Sequence, residues 1–164
     1  MFFARKIALS KWKKAEEACA INNTIDDFPA DTLTVDLKAS GNELSIWCVD
    51  ALDDAVLAMM TNEKAHLETI NILYLDDING LMTKDTKGNT FVKDLQDKHK
   101  DIYNLNYKEI GNVAIKFLDA FKNKKVKTYN LQQIKNVLNT AIDTGRVDFN
   151  KFNEKSKGIL RPIK

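Results

Sequence analysis

The chain has few residues of the kinds that break or staple a polypeptide. Two prolines and six glycines in 164 residues leave no room for a flexible tether or a low-complexity tail. Cys19 and Cys48 are the whole cysteine complement. They are too few and too far apart for a zinc knuckle or a disulfide framework, so both read as reduced, buried thiols. His66 and His99 stand alone, neither at ligand spacing from another donor. No apolar run approaches the length of a membrane span or a secretory core, and the opening Met1-Phe2-Phe3-Ala4-Arg5-Lys6 is charged by its fifth residue. The expectation is a cytoplasmic protein with no membrane partner. No glycine-rich phosphate loop, cofactor fingerprint or nucleophile–base signature occurs, so no cofactor is expected and a non-enzymatic role is favoured.

What is present is ordinary in amount and uneven in placement. Hydrophobic residues make up 44% and charged residues 29%, enough for one self-sufficient core at this length. The net charge of +2 conceals three blocks. Residues 1–14 carry five Lys or Arg and no acid; residues 15–83 carry fourteen Asp or Glu against Lys38 and Lys64; residues 84–164 carry eighteen basic side chains against nine acidic ones. Such blocks either neutralise one another within the fold or offer opposite faces to partners. A contiguous face around Asp26, Asp27, Asp50, Asp54 and Asp77 would call for a basic protein partner, and interleaved ion pairs would mean self-neutralisation.

Periodicity organises the chain around residues 43–75. Residues 43–49 alternate as a strand, residues 53–61 are apolar on nearly every side, as in a buried helix, and residues 69–75 alternate again. Such a unit predicts a parallel crossover. Residues 2–8 read as a further strand near an edge, guarded by Arg5 and Lys6, and Ser10 opens a helix to residue 20 with Trp12, Ala15, Cys19 and Ala20 on one face. Residues 32–38 alternate as a strand leading through Ser40-Gly41-Asn42 into a hairpin, with a short helix begun by Pro29 as the alternative. Beyond residue 83 every element reads as helical: 90–100 behind Thr90, then a helix capped by Asn106 and Glu109, another boxed by Asn130 and Gln133 and stopped at Gly145, and a last one behind Asp148 that ends before Pro162. The predicted class is α+β: a single domain in which a small mixed sheet in residues 1–83 packs against a helical half, residues 84–164.

Three functional readings follow. The favoured one is a small interaction or regulatory protein of the immunity, antitoxin or accessory-subunit type, bound to another protein through charge complementarity. A second places Asp50, Asp53, Asp76 and Asp77 at the carboxyl ends of two parallel strands. Clustered carboxylates there could hold Mg²⁺ or Mn²⁺ for phosphoester hydrolysis or nuclease chemistry, although Asp is equally at home in caps and turns. A third makes Lys122, Lys124, Lys125 and Lys127 an anion or nucleic-acid site beside the start of the next helix. Trp47, opposite Leu44, Ile46 and Cys48 on its strand, would mark a partner surface if exposed.

Overall fold

A computed structural model describes residues 1–161, so Pro162 lies outside the described residues. The elements in chain order are β1 (Phe2–Ile7), α1 (Leu9–Ala18), α2 (Ala30–Val35), β2 (Leu44–Val49), α3 (Leu52–Met60), β3 (Ile70–Leu75), β4 (Thr83–Thr86), α4 (Lys93–Gln96), β5 (His99–Ile102), α5 (Tyr107–Lys122), β6 (Val126–Tyr129), α6 (Leu131–Asp143) and α7 (Glu154–Leu160). Single 3₁₀ turns occupy Ile25–Asp27 and Phe149–Lys151.

The α+β class holds, with one sheet of six strands in the order β4-β5-β2-β1-β3-β6. Every neighbouring pair is antiparallel, which corrects the mixed sheet. Strands β2 and β3 do run the same way, joined by α3, but β1 lies between them: Phe3 faces Cys48 on one side and Leu75 on the other. The crossover therefore spans an inserted strand. The expected edge position of β1 is overturned for the same reason. Phe3 and Ile7 are buried on one face and Ala4 on the other, as a central strand requires. Its two cations are accommodated rather than exposed to a sheet edge. The Arg5 guanidinium donates to the Asp36 carbonyl at 2.8 and 3.1 Å and to the Ser45 carbonyl at 2.5 Å, while Lys6 reaches out to Glu68 at 3.3 Å.

Alternation along the strands sorts the core into two layers. One holds Phe3, Ile7, Ile46, Leu73 and Ile102 under Trp12 of α1, Leu37 and Phe117 of α5. The other holds Ala4, Ile70, Ile72 and Tyr129 under Val56 of α3, Ile134 and Leu138 of α6 and Leu160 of α7. The helical half does not pack as a unit against the sheet half, because α5 and α6 cover opposite faces and β4, β5 and β6 complete both sides of the sheet. All three of these strands fall in stretches read as loop, helix or turn. Each is four residues long, and none has an apolar alternation to betray it. Cross-strand charge supports β4 and β5 instead, with Lys84 opposite Asp101 and Asp85 opposite Lys100, the latter two in an ion pair. The helix expected over residues 90–100 shrinks to the single turn of α4. Thr90 turns its hydroxyl to that of Thr61, 2.6 Å away in the interior, and His99 lies in β5.

Residues 32–38 are likewise not a strand. Pro29 precedes α2, the alternative reading, and the hairpin contracts to a turn closed by Ser40 and Glu43, with Gly41 and Asn42 both near φ +60°. Asp36, one residue past α2, is buried and ties three elements together. One of its oxygens accepts from the Ala8 N–H at 2.8 Å and from Trp12 Nε1 at 2.6 Å, while its carbonyl receives Arg5.

Helix ends follow the sequence well where side-chain caps exist. Asn106 accepts from the Glu109 N–H, Asn130 and Gln133 close a full capping box, and Asp148 caps the turn before α7. Gly145 follows α6 at φ +73°. Helices α1 and α3 begin without a side-chain cap, at Ala8 and Ala51, so neither Ser10, Asp50 nor Asp53 has the capping role expected of it; Ala20 is exposed.

Candidate functional site

The carboxylates proposed for a metal stand near one end of the sheet but do not converge. Val49 of β2 and Leu75 of β3 flank Phe2 and Phe3 of β1, so Asp50 and Asp76 leave strands two interstrand spacings apart, roughly 10 Å. Asp76 pairs with Lys125; Asp77 pairs with Lys116 at 3.1 Å and accepts from the Asn79 N–H at 3.0 Å. Those two contacts, the backbone N–H first, hold the Asp77 carboxyl below its ordinary range. Asp53 accepts from the Tyr129 hydroxyl at 2.7 Å, and burial together with this carboxylate drives the Tyr129 pKa upward. Asp50 is exposed, and its side chain has no hydrogen bond or ion pair among the described residues. No group of three or more His, Cys, Asp or Glu side chains among the described residues is arranged to hold a metal ion.

The four lysines expected to attract an anion diverge. Lys122 donates to the Cys19 carbonyl at 2.7 Å and to Asn23; Lys124, at φ +60°, extends toward Glu16 at 3.8 Å; Lys125 takes Asp76; Lys127 stands 3.8 Å from Asp53 and 4.4 Å from the centre of the Tyr129 ring. They clamp β6 and the end of α5 onto neighbours. Of twelve ion pairs among the described residues, eight join the acidic stretch 15–83 to one of the basic stretches. Asp54 and Asp77, two members of the expected acidic face, are engaged by Arg146 and Lys116. The charge blocks interleave, so of the two arrangements weighed from the sequence, self-neutralisation describes this fold.

Both cysteines are free and buried. Trp47 is half-buried, edge-on to His99 with ring centroids 4.8 Å apart and roofed by Gly88. His99 Nδ1 lies 2.6 Å from the Thr86 hydroxyl, and burial lowers its pKa from the ordinary 6.5, with Asp101 pulling the other way. A histidine whose folded-state pKa is depressed binds fewer protons than in the unfolded chain. Its contribution to stability is complete above pH 6.5 and is lost as pH falls below that value. Thermal melts are expected to show a decline beginning below pH 6.5 that His99→Gln flattens; equal declines in the two proteins would refute this. Losses from Asp77 and Asp94, whose pKa values are depressed below 3.8, begin only at lower pH.

A concavity of a different kind lies elsewhere. An open groove of about 1140 Å³ lies between α2 and the start of α5. Ala30, Leu33 and Thr34 of α2, at the spacing of one helical face, line one side, with buried Leu37 just past the helix at its floor. Asn106, Tyr107 and Ile110, from the first turns of α5, line the other. Its ends are made by Lys38, Ala39 and Asn42 and by Asn104, which like Asn42 adopts φ near +60°. Sequence reasoning missed this feature by reading residues 32–38 with period two. The signal was available as Pro29 followed by an i, i+3, i+4, i+7 set. A second, smaller recess of about 310 Å³ between α3 and α6 is closed at one side by Arg146, held by Asp54 at 2.7 Å and Asp94 at 2.6 Å.

No helix among the described residues is long and apolar enough to cross a membrane. Compared with protein-family models, with curated proteins and with solved structures, the chain matches none.

Proposed function

We propose that this chain is a protein-interaction or regulatory protein, of the immunity, antitoxin or accessory-subunit kind, that engages its partner through the α2–α5 groove. The carrying observation is where its large apolar side chains remain exposed. Of seven such residues among the described residues, Tyr107 on α5, at 97% exposure, lines the groove, Met82 touches its Asn104, and Ile25 lies against Gly111, one turn along α5 from Tyr107. Exposed apolar side chains gathered at the rim of a concave surface are a usual mark of a protein contact, with an aromatic residue as anchor. The ion pairs that interleave across the surface move the recognition element away from net charge and toward this apolar rim.

A photo-crosslinking side chain placed at Tyr107 is expected to give a discrete protein adduct in cells of the native host. The adduct should vanish when Thr34→Arg fills the groove, and the same crosslinker at Lys155 on α7 should give none. Equal adducts at both positions, or none at Tyr107, would remove the reading.

A further inference from the structure

We infer that Asn79-Gly80, in the turn between β3 and β4, is a self-modification site, where the Asn79 amide is converted to a carboxylate or an isoaspartyl linkage with the help of Lys116. This is the single Asn-Gly pair of the sequence. The two residues are the centre of a turn closed by the Leu81 N–H on the Ile78 carbonyl at 3.0 Å, and Gly80 stands at φ +81°, as the second central position of a type II turn requires. Both are exposed, and nothing lies within 4 Å of the place a Gly80 Cβ would take. Neither the Gly80 N–H nor the Asn79 side-chain amide has a hydrogen bond among the described residues. The groups that must meet are thus adjacent, untied and open to water. Asn106, Asn130 and Asn153, by contrast, are engaged as helix caps.

Water is the only co-reactant. After the Gly80 N–H gives up its proton, the nitrogen attacks Cγ of Asn79; the new N–Cγ bond closes a succinimide, the Cγ–Nδ2 bond breaks, and the nitrogen leaves as ammonia with the proton restored to it. Water then opens either imide carbonyl, giving an ordinary aspartate or an isoaspartyl linkage with a methylene added to the main chain. Loss of the proton is the difficult step, because a peptide N–H is a very weak acid. The charge it leaves is shared by resonance with the carbonyl oxygen of the same peptide group, that of Asn79, and Lys116 Nζ donates to this oxygen at 3.3 Å. The Lys116 ammonium is held there by Asp77 at 3.1 Å, so a preorganised cation faces the atom on which charge develops. Conversion adds a negative charge beside Asp76 and Asp77. The isoaspartyl product also lengthens the turn whose Ile78 and Leu81 pack on the core, and it belongs to the substrate class of S-adenosylmethionine-dependent isoaspartyl methyltransferases.

The full chain, incubated in mildly alkaline buffer, is followed by peptide mapping with mass spectrometry and by isoaspartyl methyltransferase with labelled S-adenosylmethionine. Asn79 is expected to convert ahead of every other asparagine and to take up the methyl label. Gly80→Ala places a Cβ beside the attacking nitrogen and should slow conversion about tenfold, while Asn79→Gln should give no label. Lys116→Met should slow conversion about fivefold and Lys116→Arg should restore it, a rescue that packing alone does not give. Thermal melts verify that the variants fold. An Asn79 that stays an amide while the same chain unfolded in urea converts would overturn the inference, and equal rates in wild type and Lys116→Met would overturn the part given to Lys116.

Discussion

Asp36→Ala is expected to cost about 3 kcal/mol of unfolding free energy. The carboxylate is the acceptor for two donors that have no other outlet: the Ala8 N–H, where β1 hands over to α1, and Nε1 of Trp12, whose side chain is wholly buried. Leaving a buried donor unsatisfied costs about 1–3 kcal/mol each. The loss also removes the one carboxylate beside the Arg5 guanidinium, which burial already disfavours as a cation. For a chain of this size the melting temperature should drop by roughly 6–12 °C. Asp36→Asn keeps one side-chain oxygen as an acceptor, and its cost should be nearer 1 kcal/mol. Urea melts of the two variants that lie within 1 kcal/mol of wild type would show that β1, α1 and α2 are held by packing alone.

The second large effect is expected from the smallest substitution, Gly88→Ala. A Cβ at this position would stand 2.5 Å from Cζ3 of Trp47 and 2.9 Å from Cβ of His99, inside both side chains. The backbone cannot retreat, because the Gly88 N–H donates to the Gln96 carbonyl at 2.8 Å. Trp47 must turn outward, and its edge contact with His99 of β5 is lost. Overpacking of this sort costs about 1–3 kcal/mol. Trp47 emission should shift to the red while Trp12, sealed in the opposite layer, stays unchanged. Trp12→Phe in the same background isolates the signal, and an unshifted spectrum with unchanged stability would refute the steric argument.

How much of this was readable from the residues varies with the element. The segments that bury wide apolar surface were legible: α3, α5, α6, β2 and β3 fall where the periodicity put them, because burial of an apolar stripe selects the period. Segments that contribute hydrogen bonds and charge pairs were not. Lys84, Asp85, Lys100 and Asp101 resemble loop until they are placed opposite one another. Arg5 resembles an edge guard until the Asp36 and Ser45 carbonyls are brought to it by residues far along the chain. The same limit governed the sites. Asp76, Asp77, Lys122 and Lys125 were singled out as two separate constellations, and Asp76 and Lys125 are one ion pair. The groove depended on whether residues 32–38 are read with period two or as a helix begun by Pro29, a choice in which so short an alternating segment favours the strand.

The position of β1 between β2 and β3 also governs how the chain is made. β1, on which β2 and β3 are laid, leaves the ribosome well before either strand that pairs with it. The outer edges of that inner trio are closed only by β5 and β6, from the far half of the chain. Such long-range pairing slows folding, and a nascent chain halted before β5 would carry two unpaired edges, along Leu44–Val49 and Ile70–Leu75. A chain halted there is therefore prone to self-association, and β5 and β6 act toward β2 and β3 as a chaperone does.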